Sequence, residues 1–387
     1  MRNRLNGHAP ATPVVIIHNH PIHYKHLLFE ALTKQGLDFE VFFTGASSGQ
    51  RIERPLPSNG EYRYRFGWDG PYEDAPAIHT ARFVWRSLSE LRPRVVIVAG
   101  YYDVAAWAAW LWAQRHKAGV ILWAESNEFD HRRRAWRELP KKLFVGRCDL
   151  AHVYGTSNRN YIRRLGMPVD RIFIKRAVAD TDRFLREDTP ATSKPGHKVL
   201  LYVGRFSSEK NLAGLLRAFR GVQQDPENPR VVLNLVGYGP LGDELRELAK
   251  ALGISPLVRF RGKFPQAELP AIYRSADAFV LPSLVEPWGL VVNEAMLSGL
   301  PVLVSTQCGC AADLVRPETG WTFSPWDEPS LTGLLQRISE MPREALVEMG
   351  RQARSVSAKY SPEHSAVIVA ETVRDLLECR MPLARAN

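Results

Sequence analysis

The chain has little cysteine: Cys148, Cys308, Cys310 and Cys379 among 387 residues. Four are too few for a disulfide framework and fit a reducing compartment. Cys308-Gly-Cys310 has no second Cys or His pair near it in sequence, so it reads as small packing residues in a loop rather than a metal site. A clean membrane-crossing run is also lacking. Pro13–Ile17 is too short for a signal-peptide core and is followed by His-Asn-His. Val95 to Ala113 reaches spanning length with a single charge, Asp103, but Gly100-Tyr-Tyr-Asp103 interrupts it. A buried strand at 95–99 and an apolar helix from Asp103 account for the same residues. After the first strand there is no Gly-rich dinucleotide fingerprint, which counts against a nicotinamide oxidoreductase. Internal repeats and low-complexity tracts are absent too.

The formal net charge is +10, and it is unevenly placed. Residues 1–197 hold 30 Lys and Arg against 20 Asp and Glu; residues 198–387 hold 21 of each. The whole excess lies in the first half, which points to an anionic partner there: a membrane surface, nucleic acid or an acidic acceptor. His131 to Arg147 carries seven cations and one acid, with Trp136, Leu139, Leu143 and Phe144 interleaved. Such a basic amphipathic segment can lie on anionic lipid. No nucleic-acid recognition motif accompanies the charge, so nucleic acid is not the expected partner.

The length favours two domains. Short β-rich runs alternate with helical stretches, the pattern of parallel sheets covered by helices. Strands are expected at 13–18, 39–43, 95–99, 119–123, 151–154 and 172–175, and helices at 24–35, 80–91, 103–117 and 156–165. Ser47 to Pro76, rich in Gly, Pro and aromatics, reads as loop. Glu187 to Gly196 reads as a linker. The alternation then restarts, with strands at 198–203, 231–236, 257–260, 278–281 and 301–304. Helices are expected at 209–221, 240–252, 266–274, 290–299, 327–339 and 362–379. The domains predicted are 1–190, 191–361 and a C-terminal helix in 362–387 returning to the first domain.

Two segments of the second half carry chemistry. Gly204-Arg-Phe-Ser-Ser-Glu-Lys210 follows a strand and opens a helix that Ser208 is expected to cap. Arg205 and Lys210 there flank a helix N-terminus, a geometry suited to a diphosphate. In Leu281 to Val302, Glu286 and Glu294 stand with seven residues between them across a loop that enters a helix. Gly289 allows close backbone approach, and the amides of Leu290 and Val291 at the helix start can take phosphate oxygens. Glu294 can accept from ribose hydroxyls, and Glu286 from those of a sugar.

These residues resemble the GT-B glycosyltransferases of family 4. Glu286 and Glu294 match the family's Glu-x7-Glu. Gly204, Arg205, Glu209 and Lys210 match its Gly-Arg…Glu-Lys loop, Gly237–Pro240 its Gly-x-Gly-Pro turn and Phe260-Arg-Gly262 a strand end. The resemblance implies two facing Rossmann-like domains with a cleft between them. It also implies transfer of a hexose-type sugar from a UDP- or GDP-sugar, with retained anomeric configuration and no metal or other cofactor. Arg205 and Lys210 would hold the diphosphate, Glu294 the ribose and Glu286 the transferred sugar. Gly204, Gly237, Gly289, Leu290 and Val291 would line the donor site, and Lys263 and Phe264 would bracket the base. The acceptor would be a glycan, a lipid-linked sugar or a small molecule, in cell-surface polysaccharide or glycoconjugate synthesis. A non-catalytic sugar-nucleotide-binding protein is the rival reading.

The first half departs from the family. His18-Asn-His-Pro-Ile-His-Tyr-Lys25 stands where its glycines would be, and Glu125 where its reaction-centre His often sits. Glu125 is therefore the candidate for contacting the transferred sugar or acceptor, with His20, His23, Tyr24 and Tyr101 lining the acceptor cleft. The expected location is cytoplasmic, with 131–147 as the contact if the protein is peripheral on the inner face of a membrane.

Overall fold

In a computed structural model, residues 13–49, 62–129, 135–185, 196–222 and 230–378 are described. The expected linker, apart from Gly196, lies outside these residues, as do Arg132–Arg134 and Cys379. The chain divides into two compact units. One runs to Glu128, continues to Val178 and is completed by the segment from Pro362; the other is built from Ala179–Ser361.

The first unit is a seven-stranded parallel sheet of β1 (Val14–His18), β2 (Phe39–Phe43), β3 (Arg63–Phe66), β4 (Val95–Ala99), β5 (Gly119–Ala124), β6 (Leu150–Val153) and β7 (Ile172–Ile174). Their order is β3-β2-β1-β4-β5-β6-β7. The central strands are apolar on both faces because helices cover both sides. β3 lies inside the stretch expected to be loop. Its sequence, Arg-Tyr-Arg-Phe, has no apolar alternation to announce a strand. Ion pairs to β2 and the residue before it hold it instead: Arg65 to Glu40 at 2.6 Å, and Arg63 to Asp38.

Val95 to Ala113 resolves into β4 and the helix Val104–His116, which Asp103 caps by accepting from the Ala106 N–H at 2.7 Å. Among the described residues no helix is long and apolar enough to cross a membrane. The helix Pro362–Leu377 packs Val369, Ala370, Val373 and Leu376 into the core beside Leu28 and Phe29 of the helix His23–Lys34.

The second unit is a six-stranded parallel sheet of β8 (Lys198–Val203), β9 (Val231–Val236), β10 (Val258–Gly262), β11 (Ala278–Leu281), β12 (Val302–Ser305) and β13 (Gly320–Phe323), in the order β10-β9-β8-β11-β12-β13. The edge strand β13 and the helix Arg343–Ser357 were not anticipated from periodicity. One expected helix start is also corrected. Ser208–Lys210 is a single 3-10 turn, and the helix proper is Leu212–Arg220, entered through Asn211 at φ +53°. Ser208 makes no capping bond; the left-handed residue breaks the run that the sequence suggested was continuous.

A buried polar chain ties the last helix to the first sheet. The Trp123 indole N–H donates to His152 Nδ1 at 2.9 Å, which leaves Nε2–H to donate to Thr372 Oγ1 at 2.7 Å. Thr372 in turn donates to the Ile368 carbonyl at 2.8 Å. Burial, reinforced by Lys175, pushes His152 down to about 3, so the ring is neutral and the chain is complete. Thr372→Val keeps the shape but leaves a buried N–H unmatched. It is expected to lower unfolding free energy by about 1–3 kcal/mol, read as an earlier urea midpoint.

Candidate active site

From β8 the second unit's chain winds to β9 and β10 on one side, and from β11 to β12 and β13 on the other. The adjacent carboxyl ends of β8 and β11 are thus a topological switch point, where open parallel sheets form a crevice for ligands. The loops carrying Arg205, Lys210 and Glu286 all start there.

These loops are locked together through the backbone. Gly204 N–H donates to the Val236 carbonyl at 3.0 Å, Phe206 N–H to Tyr238 at 2.9 Å, and Gly237 N–H to Gly262 at 2.8 Å. The approach is close enough that a Cβ on Gly237 would sit 1.8 Å from the Gly204 oxygen, at φ +138°. The Glu209 carbonyl accepts from Leu284 N–H at 2.8 Å, which joins the β8 loop to the β11 loop. Across that join Lys210 Nζ pairs with the Glu286 carboxylate, both largely buried. Arg205 is exposed, its guanidinium 3.3 Å from Glu209, whose carboxylate also accepts from the Ser207 hydroxyl at 2.6 Å.

Glu286 is anchored from behind, where Gly309 N–H donates to its carbonyl at 3.0 Å and Cys310 N–H to that of Trp288 at 3.1 Å. Cys308 and Cys310 are buried thiols, pushed well up by that burial, and act as packing under the loop. Gly289, at φ +101°, opens the helix Leu290–Leu297, whose first-turn amides include those of Leu290 and Val291. One turn on, Glu294 accepts from the buried Tyr273 hydroxyl at 2.8 Å. Lys263 and Phe264 follow β10. The Lys263 ammonium lies 5.7 Å from the Tyr238 ring, and Phe264 is half-buried. The chain's Asp-x-Asp, Asp180-Thr-Asp182, sits at a helix start. Asp180 there accepts from Arg183 N–H at 3.2 Å and pairs with its guanidinium at 3.1 Å.

In the first unit Glu125 follows β5. It accepts from the Tyr154 hydroxyl at 2.5 Å and pairs with Lys25 at 2.9 Å. His20 is buried and stacked on Tyr72 at 5.2 Å; His23 and Tyr24 are half-buried at the start of the helix His23–Lys34. Tyr101 is 4% exposed in the core, whereas Tyr102 is 59% exposed with its hydroxyl 2.9 Å from Ser126 Oγ. The structure therefore sets Tyr102, not Tyr101, at the surface of that loop. Sequence reasoning gave no site role to Tyr102, His18, Lys25, Tyr154 or Lys175. A signal existed for Lys25: it shares helical spacing with Leu28, Phe29 and Leu32, so a lysine stands on the buried stripe.

The described residues of the basic segment form the helix Ala135–Gly146, continuous through Pro140. Trp136, Leu139 and Leu143 are exposed at positions spaced by three and four, one stripe of the helix. Phe144, expected among them, is buried against Trp110 at 5.5 Å. A surface hollow of about 560 Å³ opens beside the stripe, lined by Trp136, Leu139, Lys142, Tyr161 and Arg164 among others.

The family model described as "Glycosyl transferases group 1" matches residues 186–356. A D-inositol 3-phosphate glycosyltransferase of Nocardia farcinica is 30% identical over 71% of this chain and 67% of its own. Among solved structures, sucrose-phosphate synthase from Thermosynechococcus elongatus superposes with a TM-score of 0.74 at 22% identity, over 95% of this chain and 100% of that one. Anabaena HepE, solved with UDP and glucose, gives 0.72 at 15% identity, over 94% and 99%. The two parallel α/β domains are those of the GT-B fold.

The interlocked glycines give a direct test. Gly237→Ala forces a methyl into the Gly204 carbonyl at a backbone angle that L residues avoid. It is expected to cost about 2 kcal/mol or more, seen as a lowered melting temperature of the second unit.

Proposed function

Because the chain belongs to the group 1 glycosyl transferases, we propose that it is a retaining family 4 enzyme. It moves a hexose from a UDP- or GDP-sugar to a glycan, lipid-linked or small-molecule acceptor in cell-surface polysaccharide or glycoconjugate synthesis. One observation carries this reading: Lys210 and Glu286 stand paired at the β8/β11 switch point, with Arg205 and the helix start at Gly289 on the same strand-end loops.

In that arrangement Arg205, Lys210 and the Leu290 and Val291 amides take the diphosphate, and the two cations offset charge on the leaving group as the glycosidic bond breaks. Glu286 accepts from hydroxyls of the transferred sugar and, when unliganded, neutralises Lys210. Glu294 accepts from the ribose, oriented by Tyr273. Lys263 and Phe264 bracket the base. Charge stabilisation comes from side chains and amides, so added chelator is expected to leave turnover unchanged. Glu125 in the first unit contacts the transferred sugar or acceptor. His20, His23, Tyr24 and the Tyr101–Tyr102 turn supply the surrounding acceptor surface.

A thermal-shift screen with UDP, GDP and ADP identifies the nucleotide, because a ligand bound only by the native state raises its melting temperature. With the matching sugar donor, Arg205→Ala and Lys210→Ala are each expected to lower kcat roughly 100-fold or more. Glu294→Gln weakens binding of the bare nucleoside diphosphate, whereas Glu286→Gln spares it and impairs transfer. Near-native turnover of either cation variant at saturating donor sinks the diphosphate placement. Nucleotide binding with no transfer to any acceptor favours the non-catalytic binding protein.

The exposed Trp136, Leu139 and Leu143 stripe, with Arg137 and Lys142 beside it, supports peripheral contact with anionic lipid. Wild type is expected to co-sediment with anionic liposomes at low salt and to be released at high salt. Trp136→Ser with Leu139→Ser should stay in the supernatant. If wild type ignores such liposomes, the acceptor is a soluble one.

A further inference from the structure

Lys25 belongs to none of the roles above, yet it is 1% exposed and holds the one carboxylate at the strand ends of the first sheet to which a reaction-centre role has been given. Its ammonium donates to the Tyr154 hydroxyl at 3.0 Å and lies 2.9 Å from Glu125 Oε1, while Tyr154 donates to the same oxygen at 2.5 Å. The rings of Tyr24, Trp123 and Tyr154 surround Lys25 at 5.6, 5.1 and 5.4 Å. The Glu125 side chain remains 43% exposed. The geometry is one-sided: a lysine sealed beneath, a carboxylate open above.

A buried ion pair is a weak source of stability, because desolvation offsets most of the attraction. Apolar residues of similar volume would fill the space as well. What the pair does that they could not is fix the charge and direction of Glu125. We propose that Lys25 is a positioning residue that keeps Glu125 a permanently ionised hydrogen-bond acceptor, one that orients a sugar hydroxyl and never delivers a proton. This rests on the reading of Glu125 as a contact to the transferred sugar or acceptor.

The surroundings agree from every element packed on the carboxylate. His18, at the end of β1, is lowered to about 3 by burial and then by Lys25, so it is a neutral ring. Lys175, beyond β7, lies 4.5 Å from the Tyr154 ring and 5.1 Å from Trp123, with no hydrogen-bond partner for its Nζ. Burial and then Lys25 hold it well below the ordinary lysine value. Two like charges over one pair of rings repel, which adds to burial in holding Lys175 down. Asn158, from the helix Thr156–Arg164 that follows β6, donates to the Glu125 backbone carbonyl at 2.7 Å and fixes the chain itself. Burial alone would raise the Glu125 carboxyl, but Lys25 and Tyr154 together hold it down to about 2.

The sign of the linkage gives a test that needs no substrate. In wild type the folded carboxyl sits below its unfolded value. Its stabilisation is therefore complete above the unfolded value and lost only as pH falls from there towards 2. In Lys25→Met the part-buried carboxylate has lost its cation and its folded value rises above the unfolded one. The variant is then penalised at neutral pH and relieved as acid protonates Glu125. Melting temperatures of wild type, Lys25→Met, Lys25→Arg and Lys25→Met/Glu125→Gln are measured from pH 4.5 to 8.5. The deficit of Lys25→Met should be largest at pH 8 and shrink steadily towards pH 4.5, while Lys25→Arg and the double variant show a pH-independent offset. A deficit for Lys25→Met that stays constant with pH overturns the proposal, because a space-filling role predicts that result.

The activity arm separates the two ideas. With the donor found by the nucleotide screen, Glu125→Gln should lower kcat/KM at least 10-fold at every pH. Lys25→Met should add an acid limb at least one pH unit above that of wild type, which Lys25→Arg removes. If Glu125→Gln transfers normally, the role of Glu125 falls and the functional half of the proposal with it, while the melting curves still report whether Lys25 fixes the charge.

Discussion

Parallel pairing is the constraint on which the rest of the molecule depends. When every strand runs the same way, each connection must return over a face of the sheet, and every strand's carboxyl end opens on one edge. Both sheets obey it completely: all eleven recorded strand pairings are parallel. The faces are then covered by helices, and the charged groups of both candidate sites collect at the strand ends. That is why Lys210 and Glu286 of the second unit meet although 76 positions of sequence separate them. It is also why His18, Lys25, Glu125 and Tyr154 of the first unit share one small volume.

The two units solve the same electrostatic problem in the same way. Each has a lysine from the segment after its first strand paired with a glutamate from a later strand end, Lys25 with Glu125 and Lys210 with Glu286. Each pair lies at or beside the point where strand order reverses. They differ in what lies under them. Lys25 is enclosed by the rings of Tyr24, Trp123 and Tyr154, whereas Lys210 sits on a loop of strand-end turns held by backbone hydrogen bonds. The first arrangement fixes a charge; the second presents two groups that a ligand can take up separately. Interlocked glycines make the second possible, since the turns at Gly204, Gly237 and Gly239 approach more closely than any side chain permits.

Much of the fold could be read from the sequence, because its signals are local. Apolar runs such as Val95–Ala99 and Val231–Val236 are strands wherever they fall, and Asp103 is a helix cap by its own chemistry. The motif residues of the second unit are equally local, since they sit on loops only a few residues long. Other features depended on partners far along the chain. Arg63–Phe66 is a strand because Glu40 and Asp38 lie opposite, and Leu212 begins a helix because Asn211 turns left-handed while its side-chain amide donates to the Pro325 carbonyl. Tyr101 and Tyr102 are identical to a motif reading, and only packing against Phe144 decides which is buried. The sequence by itself determined most of the strands and helices and which loops bear cations and glutamates, because backbone propensity and side-chain charge belong to each residue. Only the tertiary structure decided that Lys25 would be sealed under Glu125 and that Lys175 would be held well below the ordinary lysine value, because burial and charge coupling arise between residues that the sequence holds 100 or more positions apart.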